Sequence, residues 1–227
     1  MANKFLILAM YKLVTASKIS LYRGVQDIMP SEMQKKYIGD GIYGSGMYFA
    51  FNYEDAENYM EGIYDELFSR WGIIAEYNFD LGNSIVLSPL NTEGICKSLF
   101  DTFTFKKDAK LKLGVAKIEA EKLTDLASKK KFDSIILKGT GYGHEFEGPN
   151  GGEQVILLPN SKIKPSLKYI NIFFKDVSYA NKLGKLIKIK PYHKSVAKIP
   201  ISSFKKVDAF LKAQNWKDDD YEEEEEY

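Results

Sequence analysis

The stretch GDGIYGSGMYFAFNYEDAENY, residues 39–59, holds the patterns that decide the fold class. Glycines punctuate residues 39–46, which favours a loop, because glycine adopts backbone conformations that other residues avoid. MYFAF at 47–51 is a short apolar and aromatic run of the kind found in strands. Asn52 then precedes a helical pattern whose first turn is acidic, so we predict that Asn52 caps this helix.

Segments typical of strands and of helices alternate on both sides of this stretch. The other predicted strands are ISLYRG (19–24), GIIAEYNFDL (72–81), NSIVL (83–87), DSIILK (133–138) and QVILL (154–158). We also predict a short helix over 29–37, begun at Pro30, and mostly helical structure over 91–131. Strands and helices mixed in this order predict an α+β fold.

Two features indicate the compartment. Cys96 is the single cysteine, so no disulfide forms within the chain, and we expect Cys96 to be a core residue in a reducing cytoplasm. The apolar run FLILAM at 5–10 is shorter than a signal peptide or a membrane span requires. The sequence therefore predicts a cytoplasmic protein with no membrane contact.

The net charge of +1 conceals a strong charge asymmetry. Residues 161–217 hold 14 lysines and two acidic residues, whereas residues 218–227 hold eight acidic residues. A segment of like charge with little apolar surface repels itself and stays disordered. We therefore predict a near-neutral domain at 1–164, a basic C-terminal extension packed on it at 165–217, and a disordered acidic tail at 218–227.

The basic segment allows two interpretations. The lysines within 162–217 carry enough positive charge to attract a polyanion such as nucleic acid, and interleaved aromatic residues suit base stacking. These aromatic residues are Tyr169, Phe173, Phe174, Tyr179 and Tyr192. Alternatively, most of these aromatic side chains pack the extension on the domain, and we favour this second interpretation for most of them.

Four motifs carry residues suited to binding chemistry. LYRG at 21–24 places an arginine and a glycine at the end of a strand, and GSGMYFA at 44–50 places a tyrosine in a strand entered through glycines. EDAENY at 54–59 places a second tyrosine eleven residues further on, in a helix. GGEQVILLP at 151–159 places an acid and an amide at the start of an apolar strand.

These motifs resemble those of the ADP-ribosyltransferase superfamily. YGSGMYFAFNYEDAENY resembles the nicotinamide-pocket motif of the poly(ADP-ribose) polymerases. LYRG resembles the first-strand motif of the arginine-bearing transferases, and GGEQVILLPNSKIKP is similar to the last core strand of phage and polyvalent-protein mono-ADP-ribosyltransferases. The resemblance implies two abutting, curved, antiparallel-rich sheets with an NAD cleft, flanked by helices. It also implies NAD as the substrate, no metal, and a bacterial or phage-infected cell.

The resemblance assigns roles to individual residues. Tyr48 and Tyr59 would enclose the nicotinamide ring, and Gly24 would hold its amide through the backbone. The positions predicted to contact NAD are Tyr22, Arg23, Gly24, Ser45, Gly46, Tyr48, Phe49, Ala56 and Tyr59. The predicted catalytic residues are Arg23, Tyr48, Glu153 and Gln154.

Three positions depart from the pattern of the family. Gln154 stands where the family has its catalytic glutamate, and Glu153 is one place earlier. Strand alternation would point these two side chains to opposite faces, whereas a bulge would bring Glu153 into the site. Ala56 replaces a serine that contacts the nicotinamide amide in the polymerases. Glycines at 151–152 replace a residue typical of arginine-modifying transferases, which argues against arginine as the acceptor.

Together the motifs predict a mono-ADP-ribosyltransferase of the glycosyltransferase class. Such an enzyme cleaves NAD at the nicotinamide bond and transfers ADP-ribose to a macromolecular acceptor, protein or nucleic acid. A carboxylate in its site stabilises the positive charge that develops on the ribose. Two alternatives stay open: a non-catalytic protein that binds NAD, ADP-ribose or nucleic acid on a degenerate transferase fold, and an NAD glycohydrolase with water as the acceptor.

Overall fold

The computed structural model describes residues 18–35, 39–41, 44–65, 70–87, 123–137, 154–214 and 216. The strands are β1 (Ile19–Gln26), β2 (Gly39–Gly41), β3 (Gly44–Ala50), β4 (Trp71–Phe79), β5 (Ser84–Leu87), β6 (Ser134–Leu137), β7 (Gln154–Leu157), β8 (Ser166–Phe174) and β9 (Ser195–Pro200). The helices are α1 (Tyr53–Asp65), α2 (Leu123–Lys129), α3 (Val177–Ile187) and α4 (Phe204–Ala213), with 3-10 turns at Pro30–Gln34 and Ile201–Ser203. The predicted mixture of strands and helices is confirmed.

The chain divides into two compact units that interleave in sequence. Unit 1 comprises Met1–Arg23, Lys36–Asp55 and Glu76–Ser166, and unit 2 comprises Gly24–Lys35, Ala56–Ala75 and Leu167–Tyr227. Strands β1 and β4 and helix α1 therefore each contribute residues to both units. The sequence predicts a boundary between residues 164 and 165, so that each predicted domain is one continuous segment. Unit 2, in contrast, combines the C-terminal segment with two earlier segments of the chain.

The described strands of unit 1 lie in the order β5-β6-β7-β3-β1-β4, and β2 also pairs with β3. Strand β5 is parallel to β6, and the pairs β6–β7, β7–β3 and β3–β1 are antiparallel. The Phe49 ring contacts Tyr77 at 5.3 Å and Phe79 at 5.0 Å between ring centroids. All three rings are buried, so this cluster joins β3 to β4 in the core of unit 1.

Residues 39–41 and 44–46 of the glycine-rich stretch belong to two paired strands, so the prediction of a loop there is wrong. These strands, β2 and β3, pair antiparallel, with Gly39 opposite Gly46. A side chain at position 46 would place its Cβ 2.5 Å from the Cγ2 of Ile156 on β7. Gly46 therefore permits close packing between strands and does not mark a break in the sheet.

The predicted cap of α1 is confirmed. The side-chain oxygen of Asn52 accepts a hydrogen bond from the backbone N–H of Asp55 at 2.7 Å. The Asn52 amide donates in return to the Asp55 carboxylate at 2.9 Å. Asp55 and Glu54 also place negative charge at the first turn, where the helix dipole is positive. The start of α1 is thus fixed by residues three positions apart.

The predicted short helix after β1 is a 3-10 turn that starts at Pro30 as predicted but ends earlier, at Gln34. In unit 2 the backbone N–H of Ser31 donates to the carboxylate of Asp208 on α4 at 3.2 Å. Pro30 and Met33 are buried. Packing against a helix distant in sequence holds this segment, and local helix propensity alone overestimates its length.

An aromatic cluster holds the end of the described chain in unit 2. The Trp216 ring lies 4.7 Å from the Tyr179 ring, 5.2 Å from Trp71 and 6.5 Å from Phe174, measured between centroids. The Trp216 indole N–H donates to the carbonyl oxygen of Leu211 at 3.0 Å. Phe174 and Tyr179, two of the five aromatic residues of the basic extension, therefore pack within unit 2.

Strands β8 and β9 pair antiparallel, with a shift of register between Ile170 and Ile172. Asn171 lies at the shift, is 8% exposed, and accepts a hydrogen bond from the backbone N–H of Lys198 at 2.7 Å. Lys198 has a φ of 52°, in the left-handed region. The Asn171 side chain thus satisfies a backbone donor at the irregularity, which stabilises a bulge.

Several predicted features lie outside the described residues. They are FLILAM (5–10), Cys96, most of the segment 91–131 predicted to be helical, the glycine-rich loop before β7 with Glu153, and the acidic tail 218–227. Of the helices that the structure describes, none combines the length and the apolar character needed to cross a bilayer.

We expect Trp216→Ala to lower the free energy of unfolding by about 2–4 kcal/mol, because it removes a large half-buried ring from the cluster. Urea unfolding followed by far-ultraviolet circular dichroism measures the change. Tyr192→Ala is the matched control, since Tyr192 is 73% exposed, and its effect should stay within about 0.5 kcal/mol. Equal effects of the two substitutions would show that Trp216 does not stabilise unit 2.

Candidate functional site

Residues from three separate motifs lie on three adjacent strands of unit 1. Strand β3 lies between β1 and β7, and its register pairs Ala50 with Tyr22 on one side and with Gln154 on the other. Side chains of directly paired residues project from the same face of a sheet. Tyr22, Ala50 and Gln154 therefore share one face, which we call the Tyr22 face.

Gln154 is the first residue of β7 and is buried, with 9% exposed. It pairs with Ala50 on β3 and with Leu137 on β6. Both neighbours have apolar side chains, and that of Ala50 is only a methyl group. The amide of Gln154 is thus a polar group held on a regular strand, with a small residue between it and Tyr22.

The Tyr22 ring is fixed by an aromatic contact. Its centroid lies 5.8 Å from that of Tyr53, the first residue of α1, at an interplanar angle of 76°. This edge-to-face geometry is favourable for aromatic pairs. Tyr22 is half-buried, so the contact orients a ring that still has accessible surface.

Tyr48 lies two residues before Ala50 on β3, and alternation places it on the Tyr22 face. Its hydroxyl donates to the carbonyl oxygen of Gly44 at 2.7 Å. A Cβ at Gly46 would lie 3.8 Å from the Tyr48 ring. The ring therefore runs back along its own strand, over a position without a side chain, and it is half-buried.

A buried acid on the same face was missed by the sequence analysis. Glu76 on β4 is 7% exposed and accepts a hydrogen bond from the Ser20 hydroxyl at 2.9 Å. Ser20 lies two residues before Tyr22 on β1, so both belong to the Tyr22 face. The available signal was an acid inside the otherwise uncharged strand WGIIAEYNF, since a buried acid requires a partner.

Glu76 lies too far along the sheet to act beside Gln154. Strands β3 and β1 lie between β7 and β4. Three strand spacings separate the two residues by roughly 14 Å. Glu76 therefore adds a carboxyl group to a different part of the Tyr22 face.

The opposite face carries Arg23 and Phe49. Each is adjacent in sequence to a residue of the Tyr22 face, so alternation places both on the other side. Phe49 is 2% exposed and packs on Tyr77. Burial raises the pKa of Tyr77 to about 12, and the positive charge of Arg23 partly offsets this rise. Arg23 therefore lies near a buried phenol and not beside Gln154.

In unit 2, Gly24 lies against α1. A Cβ built on Gly24 would be 2.0 Å from the carbonyl oxygen of Ala56 and 3.3 Å from the backbone nitrogen of Met60. No residue other than glycine fits this approach without a shift of the helix backbone. Two positions that the motifs assign to the nicotinamide amide, Gly24 and Ala56, are therefore neighbours.

The structure describes some of the remaining predicted residues. Ser45 on β3 pairs with Asp40 on β2. Gly46 contacts β7 as described above. Tyr59 belongs to α1, and its side chain lies outside the described part of the structure. Glu153 precedes β7 and also lies outside it.

The structure thus brings Tyr22, Tyr48 and Gln154 onto one face in unit 1. It separates the side chains of Arg23 and Phe49 from them, on the opposite face. That all of the predicted residues line one NAD pocket stays a prediction. In the described part of the chain, no group of three or more His, Cys, Asp or Glu residues is placed to hold a metal ion.

Similarity to known proteins is found among solved structures. No protein-family model and no curated protein matches the sequence. Among solved structures, the chain is similar to the M. tuberculosis MbcT–MbcA toxin–antitoxin complex, with 9% sequence identity and a TM-score of 0.41. The match covers 85% of this chain and 90% of the matched chain in that complex. A similarity of this size assigns neither a family nor an activity to the protein.

We predict that Tyr77 makes stability fall at high pH. The folded state holds the Tyr77 proton up to a pKa of about 12, whereas an unfolded tyrosine titrates near 10. The contribution of Tyr77 to the free energy of unfolding is complete below about pH 10. About 2–3 kcal/mol of this stability is lost as the pH rises towards 12. Tyr77→Phe should remove this part of the pH dependence in urea unfolding between pH 9 and 11. Parallel curves for the two proteins would contradict the prediction.

Proposed function

We propose that this protein binds NAD, cleaves its nicotinamide bond and transfers ADP-ribose to a macromolecular acceptor. The observation that carries the proposal is the register across β1, β3 and β7. Three motifs that are far apart in sequence supply Tyr22, Tyr48 and Gln154 to one face of three neighbouring strands. This placement supports the joint use of the three motifs on one ligand.

The chemistry of the Tyr22 face suits a glycosidic ligand. The tyrosine rings offer flat apolar surface for a nicotinamide ring, which is cationic in NAD and neutral once it leaves. The amide of Gln154 offers an oxygen acceptor and N–H donors for ribose hydroxyls. In the proposed reaction the bond from the ribose C1′ to the nicotinamide nitrogen breaks. A new bond from C1′ to the acceptor forms, and the acceptor loses a proton.

In unit 2, the packing of Gly24 against α1 is compatible with the backbone role that the resemblance implies for this glycine. The family motif uses the backbone of this glycine, and not a side chain, to hold the nicotinamide amide. In this protein a Cβ at position 24 would collide with the Ala56 backbone. The position is therefore restricted to glycine by packing, as a backbone-binding role also requires.

The identity of the carboxylate determines how effective the catalysis is. Gln154 is neutral and can hold a ribose hydroxyl, but it does not supply the charge that stabilises an oxocarbenium-like ribose. We propose that Gln154 lies in the pocket and that Glu153 supplies the charge. The presence of an amide on the regular strand also favours a second candidate, a protein that binds NAD or ADP-ribose without turning it over.

We expect Glu153→Gln to reduce turnover of NAD by roughly 10²–10³-fold, because one positioned electrostatic group is lost. NAD binding should change little. Gln154→Glu should raise turnover. Single-turnover assays with radiolabelled NAD and a cell lysate measure the turnover of both variants. The released nicotinamide and the label on polymer are counted separately.

The controls in this assay separate the candidate functions. Nicotinamide released without labelled polymer indicates a glycohydrolase. NAD binding with no turnover indicates the non-catalytic binder. If Glu153→Gln, Gln154→Ala and Gln154→Glu all match the unmodified protein, neither residue belongs to the site.

We also expect Tyr48→Ala to weaken NAD binding by about 1–2 kcal/mol, or roughly tenfold, through loss of an aromatic contact. Tyr48→Phe is the matched control. It keeps the ring and removes only the hydroxyl that donates to Gly44, so it should bind NAD nearly as well as the parent. Calorimetry on folded proteins gives both affinities, and identical values for the alanine variant and the parent would remove Tyr48 from the pocket.

A further inference from the structure

A turn in unit 2 presents aromatic residues on the surface. The segment Tyr192–Ser195 begins just before β9. The backbone N–H of Tyr192 donates to Ser195, and that of Ser195 donates to Tyr192, both at 2.9 Å. The Ser195 hydroxyl also donates to the carbonyl oxygen of Tyr192 at 2.8 Å. His193 has a φ of 48°, in the left-handed region.

The aromatic side chains of this turn face solvent. Tyr192 is 73% exposed. His193 is also exposed, and its ring meets the Tyr192 ring edge-to-face at 4.3 Å. Phe174, in contrast, is 1% exposed within the core of unit 2. Of the five aromatic residues named for the basic extension, Tyr192 is the one that is exposed.

A shallow apolar groove adjoins the turn. It is lined by Phe173, Val177, Tyr192, His193, Lys194 and Ser195. Val177 is 47% exposed. The pairing of β8 with β9 places Phe173 directly opposite Ser195. The groove is thus built from regular structure of unit 2 and is continuous with the exposed rings.

The chain in and just before this turn is rich in lysine. Lys188, Lys190 and Lys194 are all exposed and lie within or close to the turn in sequence. The nearby acid, Asp176, accepts hydrogen bonds as the cap of α3. Those bonds, chiefly to Ser178, lower the pKa of the Asp176 carboxyl, with smaller contributions from Lys182 and Lys194. The negative charge of Asp176 is therefore outnumbered by the positive charges of Lys188, Lys190 and Lys194.

We propose that this surface binds single-stranded nucleic acid. Tyr192 and His193 offer π-faces on which bases stack, and the lysines contact backbone phosphates. Charge complementarity favours a polyanion, and the exposed ring pair favours one that carries bases over an acidic peptide. None of the residues proposed to act on NAD belongs to this surface. Nucleic acid bound here would be a partner whether or not it is also the ADP-ribose acceptor.

The test is binding of a fluorescein-labelled 20-nucleotide oligothymidylate to the full chain, followed by anisotropy without NAD. Tyr192→Ala should weaken binding by roughly tenfold, the scale of one lost stacking contact. Tyr192→Phe keeps the ring and should bind like the parent. Lys190→Gln with Lys194→Gln should reduce the slope of log affinity against log salt by about 1.4, since each phosphate contact on a single strand contributes about 0.7.

Matched controls separate this surface from general positive charge. Lys205→Gln with Lys206→Gln removes the same charge from exposed positions on α4, and it should leave the salt slope nearly unchanged. The proposal is overturned if the oligonucleotide does not bind at low salt, or if Tyr192→Ala binds it like the parent. It is also overturned if polyglutamate of equal charge competes as well as unlabelled oligonucleotide. Because NAD is absent, none of these outcomes bears on the transferase activity.

Discussion

The approach of helix α1 to strand β1 at Gly24 constrains much of the chain around it. Only a hydrogen atom fits at this position, since a Cβ would lie 2.0 Å from the carbonyl oxygen of Ala56. The helix that makes this approach starts at the Asn52 cap, directly after the strand that carries Tyr48. One glycine therefore fixes the path of a helix whose first residue, Tyr53, also orients Tyr22.

The two faces of the unit 1 sheet divide the motif residues by chemistry. One face holds Phe49, Tyr77 and Phe79 as a buried aromatic cluster, with Arg23 near the phenol of Tyr77. The other face holds the polar groups of Gln154 and Glu76. Along β3, alternation thus places Phe49 in the aromatic cluster and Tyr48 and Ala50 on the Tyr22 face.

Local features could be predicted from the sequence, and features that depend on distant partners could not. The Asn52 cap involves Asp55, three residues away, and the pattern showed it. The strands at 39–41 and 44–46 were missed because glycines are typical of a loop, whereas Gly46 is needed here because Ile156, distant in sequence, occupies the space beside it. Glu76 was missed because its hydroxyl partner, Ser20, lies on a strand distant in sequence. The motifs named most of the candidate site, but register alone assigned Arg23 and Gln154 to different faces.

The aromatic cluster around Trp216 has a consequence for spectroscopy. The chain contains two tryptophans, Trp71 and Trp216, and both belong to unit 2 with their rings 5.2 Å apart. Tryptophan fluorescence, excited at wavelengths that only indole absorbs, therefore reports on unit 2 and does not report on unit 1. The close pair should also couple electronically and give an exciton signal in circular dichroism, at the strong far-ultraviolet absorption band of indole. That signal would vanish when unit 2 opens, even while the strands that carry the motifs remain folded.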